Sequence, residues 1–337
     1  MMRKGNSGQS LVVTVAVCMA FGSLLGCSSG SSPKATATPD AGATSNVINI
    51  AHNDWLSAEL NDQIAQILLQ EKMGFTVNLI PATTQGQWDQ IRADQMDVTL
   101  EVWPSGHPDE VAKLNAGDPQ LENGGLLGPV AKVGWFIPTY LLTDHPELAT
   151  WQGFMDPNNV ALFRSPSSGT QGRFLSGDPA WVAYDQKIIT NLGLDFEVEF
   201  AGSEDAEIAE LDRVYNIRGA ILFYLWTPEW VLAKYDLTMV QLPPNTDACW
   251  AQATSTQGPS CDYPADHLFK LMSSALKDKS PTAYQFLKNF SYTTKDQITM
   301  MAAVKLQNLT VDQAARQWID ANTAVWQAWI PQGAAKQ

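Results

Sequence analysis

From residue 47 onward, short β-favouring runs alternate with stretches whose apolar residues recur every three or four positions. That alternation restricts the chain to an α/β architecture. Residues 47–51 read as a buried strand, followed by a turn containing Asn53 and Asp54. Leu60, Ile64, Ile67 and Leu68 share one face of a helix predicted over 57–73, with Gly74 to end it. Residues 76–80 predict a second strand, the region around Trp88 and Ile91 a helix, and 97–102 a strand running into Trp103-Pro104. Further strands are predicted at 160–163, 196–200 and 220–225. Asp178-Pro179 supplies an N-cap followed by proline at the first helical position, predicting a helix that ends at Gly193. Ser203 caps another, whose first turn carries Glu204, Asp205 and Glu207 against the helix dipole. Thr310 and Gln313 form a capping box for a last helix through Trp329.

The N-terminal segment sets the compartment. Arg3 and Lys4 precede an apolar run over 11–25, about 15 residues where a spanning helix needs about 20. The run ends in Leu24-Leu25-Gly26-Cys27, which reads as a lipobox: residues 1–26 form a signal peptide and Cys27 is acylated. Residues 27–46, dominated by Ser, Gly, Ala, Thr and Pro, read as a flexible tether. The expected location is extracytoplasmic, held by lipid to the bacterial cell membrane. A net charge of −14, with no basic run beyond the leader, excludes nucleic acid as a partner. With Cys18 in the leader and Cys27 the expected anchor, Cys249 and Cys261 remain to form a disulfide in an oxidising compartment.

No catalytic residue, metal ligand or cofactor is expected. The four histidines, His52, His107, His145 and His267, make no HExxH; there is no GxxxxGK[ST] or GxGxxG pattern and no GxSxG elbow, the match to that spacing at Gly26 to Gly30 lying in the leader and tether. Tryptophan stands out instead, with 12 in the chain. Trp55, Trp103 and Trp226 each follow a predicted strand, where open α/β sheets place ligand sites. A trimethylated ammonium cannot donate a hydrogen bond, so indole faces are its natural partners. Trp318, Trp326 and Trp329 read as packing on the last helix, as do Trp88, Trp151 and Trp250 elsewhere. Indoles also stack on sugars. A binder of sugars or another small solute, and an enzyme of unrecognised type, are therefore the alternatives.

Three stretches resemble the ProX/OpuAC-like family, the glycine betaine and proline betaine binding proteins of ABC importers. They are the run from Ile48 to Trp55 with Gly74-Phe75-Thr76-Val77, the run from Gln95 to Pro104, and Phe223-Tyr224-Leu225-Trp226-Thr227-Pro228-Glu229-Trp230. The resemblance implies a two-lobed, type II periplasmic-binding fold with mostly parallel sheets flanked by helices and two hinge crossings. Lobe 1 is expected over 47–137 plus 241–330 and lobe 2 over 138–240. It implies a monomer that closes on a small cationic or zwitterionic solute and delivers it to an ABC permease. Trp103 and Trp226 match tryptophans that wall the betaine cage, and Ser168-Gly169-Thr170 matches the turn whose amides hold the ligand carboxylate. Some relatives carry a cage aromatic where this chain has Ser168, so Trp55, Tyr140 or Trp181 is expected to supply that wall. Arg164 and Arg173 flank the turn as candidate carboxylate clamps. Glu101 and Glu204 are candidates to meet a cation or hydroxyl.

Overall fold

The computed structural model describes residues 45–334. The predicted signal peptide, Cys27 and nearly all of the tether lie outside the described residues. The strands are β1 (Val47–His52), β2 (Thr76–Pro81), β3 (Val98–Val102), β4 (Leu121–Pro138), β5 (Gly172–Ser176), β6 (Phe196–Phe200), β7 (Leu222–Thr227), β8 (Leu237–Met239) and β9 (Ala265–Ser273). Helices α1 (Leu56–Ile67), α2 (Gly86–Arg92), α3 (Pro108–Asn115), α4 (Pro157–Val160), α5 (Asp185–Asn191) and α6 (Glu204–Asn216) lie between the earlier strands. After β7 come α7 (Val231–Lys234) and α8 (Asp247–Trp250). The C-terminal helices are α9 (Leu276–Lys279), α10 (Pro281–Asn289), α11 (Thr294–Gln307), α12 (Val311–Ala321) and α13 (Thr323–Gln327). Among the described residues, no helix is long and apolar enough to cross a membrane.

The strands form one sheet in the order β2-β1-β3-β9-β4-β7-β5-β6, with β8 also on β4. Its directions are mixed. β1 runs parallel to β2 and β3, and β5 parallel to β6 and β7. β9 runs antiparallel to β3 and β4, and β4 antiparallel to β7 and β8. The fold is thus α/β with one mixed sheet, rather than the mostly parallel sheets expected, and its two longest strands are antiparallel ones. β4 is broken in sequence by Gly124, Gly125, Gly128 and Pro129, which hides its strand character. Gly128 has φ +123°, and a Cβ there would meet the Tyr292 carbonyl oxygen at 1.9 Å, so only glycine fits. β4 joins the two halves of the sheet. Its residues from Leu121 to Lys132 pair with β9 and those from Lys132 to Phe136 with β7; Lys132 faces Ala265 on one side and Thr227 on the other.

Apolar side chains gather accordingly. Leu60, Ile64, Phe286, Phe290, Trp318 and Trp329 belong to a core under β1, β3 and the C-terminal helices, which also takes in Phe223 and Leu225 of β7. Trp135, Phe154, Phe163, Phe174 and Phe196 form a second core with Leu242, Ala253 and Tyr263. The segment before β9 therefore packs with the second core. Cys249 and Cys261 are disulfide-bonded within that segment.

Several boundaries differ from expectation, each for a local reason. Residues 160–163 are helical rather than a strand: Asp156 caps α4 by accepting from the Asn158 amide, with Pro157 at the first position, and a 3-10 turn (Ala161–Phe163) follows. Asp178 closes only a turn, accepting from Ala180 N at 2.6 Å, and the helix begins at Asp185. The last helix breaks at Asn322, so α12 and α13 are separate. α1 ends at Ile67, and a wider helical turn (Leu68–Lys72) carries the chain to Gly74 at φ +83°. Ser203 and Thr310 cap as the sequence predicts, by accepting from Ala206 N and Gln313 N.

Candidate ligand-binding site

Three segments that follow parallel strands, and one turn, converge beside the middle of the sheet. Trp55 follows β1, Trp103 follows β3, Trp226 sits near the C-terminal end of β7, and Trp181 comes from the turn that Asp178 closes after β5. Trp103 and Trp226 meet edge to face, with centroids 6.4 Å apart and planes at 80°. Trp181 meets Trp226 at 5.4 Å and 84°, and Trp55 at 6.5 Å and 86°. Tyr224, two residues before Trp226 and so on the same face of β7, closes the group at 5.9 Å from Trp226 and 6.3 Å from Trp181. These rings line a cavity of about 60 Å³.

Behind two of the indoles lies a buried carboxylate. Glu101, on β3, is 1 % exposed. Its Oε1 accepts from Trp55 Nε1 at 2.8 Å, Trp103 Nε1 at 2.9 Å and Ser57 Oγ at 2.9 Å, and its Oε2 accepts from Asn61 Nδ2 at 2.7 Å. Burial pushes the Glu101 carboxyl up from the ordinary range, and the four donors pull it back. Trp181 Nε1 donates to Asp54 Oδ1 at 3.2 Å. Trp226 Nε1 is buried and has no partner among the described residues.

The opposite wall is the turn after Trp103. Asp266 accepts from Ser105 N at 2.8 Å and Ser105 Oγ at 2.6 Å, and burial pushes its carboxyl up to about 6. That grip presents Ser105, Gly106 and His107 to the cavity. His107 packs 5.9 Å from the Trp88 ring, and burial pulls its imidazole down to about 4, so it is neutral near pH 7. Among the described residues, no lysine or arginine lines the cavity. The arrangement suits a small cation with methyl groups and a neutral polar end.

The structure therefore brings Trp55, Trp103 and Trp226 together and leaves other expected residues elsewhere. Ser168, Gly169 and Thr170 precede β5, whereas the cage gathers where β5 and β7 end. Crossing a five-residue strand separates the two by roughly 16 Å. The Ser168 hydroxyl is used locally, accepting from Ser165 N at 2.9 Å and donating to the Gln171 carbonyl at 2.8 Å. Arg164 Nε donates to the Thr170 carbonyl at 2.9 Å. Arg173 donates to Glu210 Oε1 at 2.5 Å and is spent on α6. Tyr140 donates to the Gly219 carbonyl at 2.6 Å, with the Arg218 guanidinium 4.6 Å from its ring centre. Glu204 accepts from Leu56 N at 3.0 Å, at the start of α1, and does not line the cavity. Tyr224 and His107 were missed in the sequence, although Tyr224 lies one strand period from Trp226 and His107 one helical turn's spacing from Trp103.

A small aromatic cavity set against strand ends of an α/β sheet defines a solute-binding protein. The family model described as the substrate binding domain of ABC-type glycine betaine transport system matches residues 46–321, and the chain belongs to that family. The family is one of transport binding proteins, not enzymes. Over 270 residues the chain is 28% identical to the trimethylamine N-oxide-binding protein of Pelagibacter ubique, covering 76% of this chain and 82% of that one. A crystal structure of ProX from Borrelia burgdorferi superposes with a TM-score of 0.69 at 15% identity, covering 86% of this chain and 98% of the other. Lactococcal OpuAC in a closed-liganded conformation with glycine betaine gives 0.66 at 20% identity, covering 85% and 99%.

Proposed function

We propose that this protein captures a small quaternary-ammonium or related trimethylated solute, such as glycine betaine, proline betaine or choline, and hands it to an ABC permease. The observation that carries the reading is the set of edge-to-face indoles around one cavity, with a buried carboxylate behind two of them. Each ring face contributes about 0.5–2 kcal/mol to a desolvated methylammonium. The relatives named for glycine betaine and for trimethylamine N-oxide share that trimethylated head. For the polar end, the neutral His107 imidazole, which lines the cavity, replaces the turn at 168–170 as a partner.

Two lobes would meet at the cavity and close over the solute. Their boundary is drawn where β4 changes partner near Lys132 and where β9 starts at Ala265, rather than at 137/138 and 240/241. Contacts supporting a closed form include Trp181 with Asp54, Thr84 Oγ1 to the Ala180 carbonyl at 3.3 Å, and Tyr184 to the Gly106 carbonyl at 3.2 Å. The protein acts outside the cytoplasm as a monomer, and acylation of Cys27 would tether it to the bacterial cell membrane.

The test is a thermal-shift panel on the purified chain. Glycine betaine, proline betaine, choline and trimethylamine N-oxide are run against neutral sugars and amino acids. A ligand at a hundredfold excess over its Kd should stabilise the fold by about 2.7 kcal/mol. A response confined to the amines supports the reading, and a response confined to sugars overturns it.

A further inference from the structure

Among the described residues, Glu101 is the one carboxylate in the cavity wall, and that wall holds no lysine or arginine. We infer that Glu101 both sets the orientation of two cage indoles and makes the site favour solutes of net positive charge over zwitterions that end in a carboxylate. This rests on the quaternary-amine reading above.

The hydrogen bonds themselves assign the charge. Trp55 and Trp103 can each only donate through Nε1, and both donate to the same oxygen that also takes Ser57 Oγ. Asn61 is oriented from behind: Tyr292 Oη donates to Asn61 Oδ1, which turns Nδ2 toward the other carboxylate oxygen. With three donors on Oε1 and one on Oε2, the network favours the ionised acid, against the burial that favours its proton. Because one atom anchors both indoles, their relative orientation is fixed through Glu101. Trp55 comes from the loop after β1 and Trp103 from the end of β3, and no shorter link joins their ring nitrogens.

The electrostatic consequence concerns the whole solute. A choline-like molecule brings one positive charge into a wall carrying one negative charge. A betaine brings the same cation with a carboxylate that must be desolvated against the neutral polar groups of the wall, His107 among them. In a site shielded from water, both effects exceed their values in bulk solvent.

Glu101→Gln separates the two roles. The new amide keeps the size and an oxygen for the indoles, and the Asn61 amide can turn to meet its nitrogen, but the charge is gone. Calorimetric titration of the full chain with choline and with glycine betaine should show the choline-to-betaine affinity ratio falling at least about tenfold in Glu101→Gln. Glu101→Ala should weaken both ligands. An equal change for both ligands in Glu101→Gln, or none, overturns the selectivity. Should that variant not fold, Thr84→Lys places a cation on the same wall and should lower the same ratio; an unchanged ratio there contradicts the inference.

Positioning has its own readout, needing no ligand. The indole N–H resonances of Trp55 and Trp103 should lie downfield in the unliganded chain and move upfield together in Glu101→Gln and further in Glu101→Ala. Resonances unmoved in Glu101→Ala overturn the positioning role. A wild-type chain that binds neither amine sinks the ligand reading and the selectivity with it, while the indole shifts still decide positioning.

Discussion

Two tryptophan-rich regions of this molecule look alike in composition and differ in construction. At the C-terminal end, Trp318 and Trp329 stack at 5.7 Å with planes 17° apart, and Phe290 lies 4.5 Å from Trp329. Phe286 and Tyr292 cover further edges, and Lys72 Nζ already sits 5.7 Å from the Trp326 ring centre. Their N–H groups go to nearby acceptors, Trp326 to the Ile319 carbonyl at 2.8 Å and Trp318 to Asp296 at 3.1 Å. In the cage the rings meet nearly at right angles and turn faces toward a cavity. Burial does not distinguish the regions: Trp226 is 5 % exposed and Trp329 4 %. The difference lies in whether other rings or open space cover the faces, and only the second arrangement leaves something for a ligand to bind.

Substitution should separate the two most sharply. Trp329→Ala removes a fully packed indole and is expected to cost about 3–5 kcal/mol of stability, leaving the affinity of the folded fraction unchanged. Trp226→Ala and Trp103→Ala should each weaken amine binding by up to about 30-fold with a far smaller loss in Tm. Chemical denaturation and calorimetry on the same samples read both quantities. Trp329→Ala behaving as a binding mutant would erase the contrast.

The acids behind each region should respond to pH in opposite senses. Near the cage, burial pushes Glu204 up to about 7, and Glu207 and Glu229 are also pushed well above the usual carboxylate range by burial beside like charges. A raised carboxyl binds its proton more tightly in the folded chain. Its contribution is therefore complete below the ordinary range and is lost as pH rises through about 7. Behind the C-terminal cluster, hydrogen bonds from Thr293 and Trp318 hold Asp296 below the ordinary range despite some burial. Its contribution is constant from pH 5 to 8. The chain should thus be more stable at pH 5.5 than at pH 8 by about 1–3 kcal/mol, and Glu204→Gln should flatten part of that slope. A slope rising with pH would contradict the assignment.

The smallest effect is expected where the sequence resemblance pointed and the geometry does not. Ser168→Ala and Arg173→Ala should leave amine affinity within about twofold, since neither reaches the cavity and twofold is under half a kcal/mol. Arg173→Ala should instead cost stability by leaving Glu210 without one of its two arginine partners. A tenfold loss of affinity in Ser168→Ala would return the anion-binding turn to the site.

Much of this was readable because it is local. The first three strands, α1, the caps at Ser203 and Thr310 and the Cys249–Cys261 pair all follow from adjacent residues. Trp55, Trp103 and Trp226 were found because strand ends position them. What failed to show depends on distant partners. β4 looks like a glycine-rich loop until β9 and Tyr292 are placed against it. β9 carries Asp266, His267 and a fully buried Lys270, whose ammonium reaches the Lys288 and Phe290 carbonyls, so its sequence does not look like a core strand. Trp181 was one of three options for the missing wall and could not be chosen until the turn closed by Asp178 was known. Arg173 read as a candidate carboxylate clamp because its partner Glu210 lies 37 residues away.

A trimethylated amine should sit against the cage indoles and nowhere else. The direct measurement is of nuclear Overhauser contacts between the N-methyl protons of bound choline or glycine betaine and the tryptophan ring protons. The account predicts contacts to Trp55, Trp103, Trp181 and Trp226, and none to Trp318, Trp326 or Trp329. Contacts to the C-terminal tryptophans, or N-methyl protons that see no indole at all in a saturated complex, would contradict it.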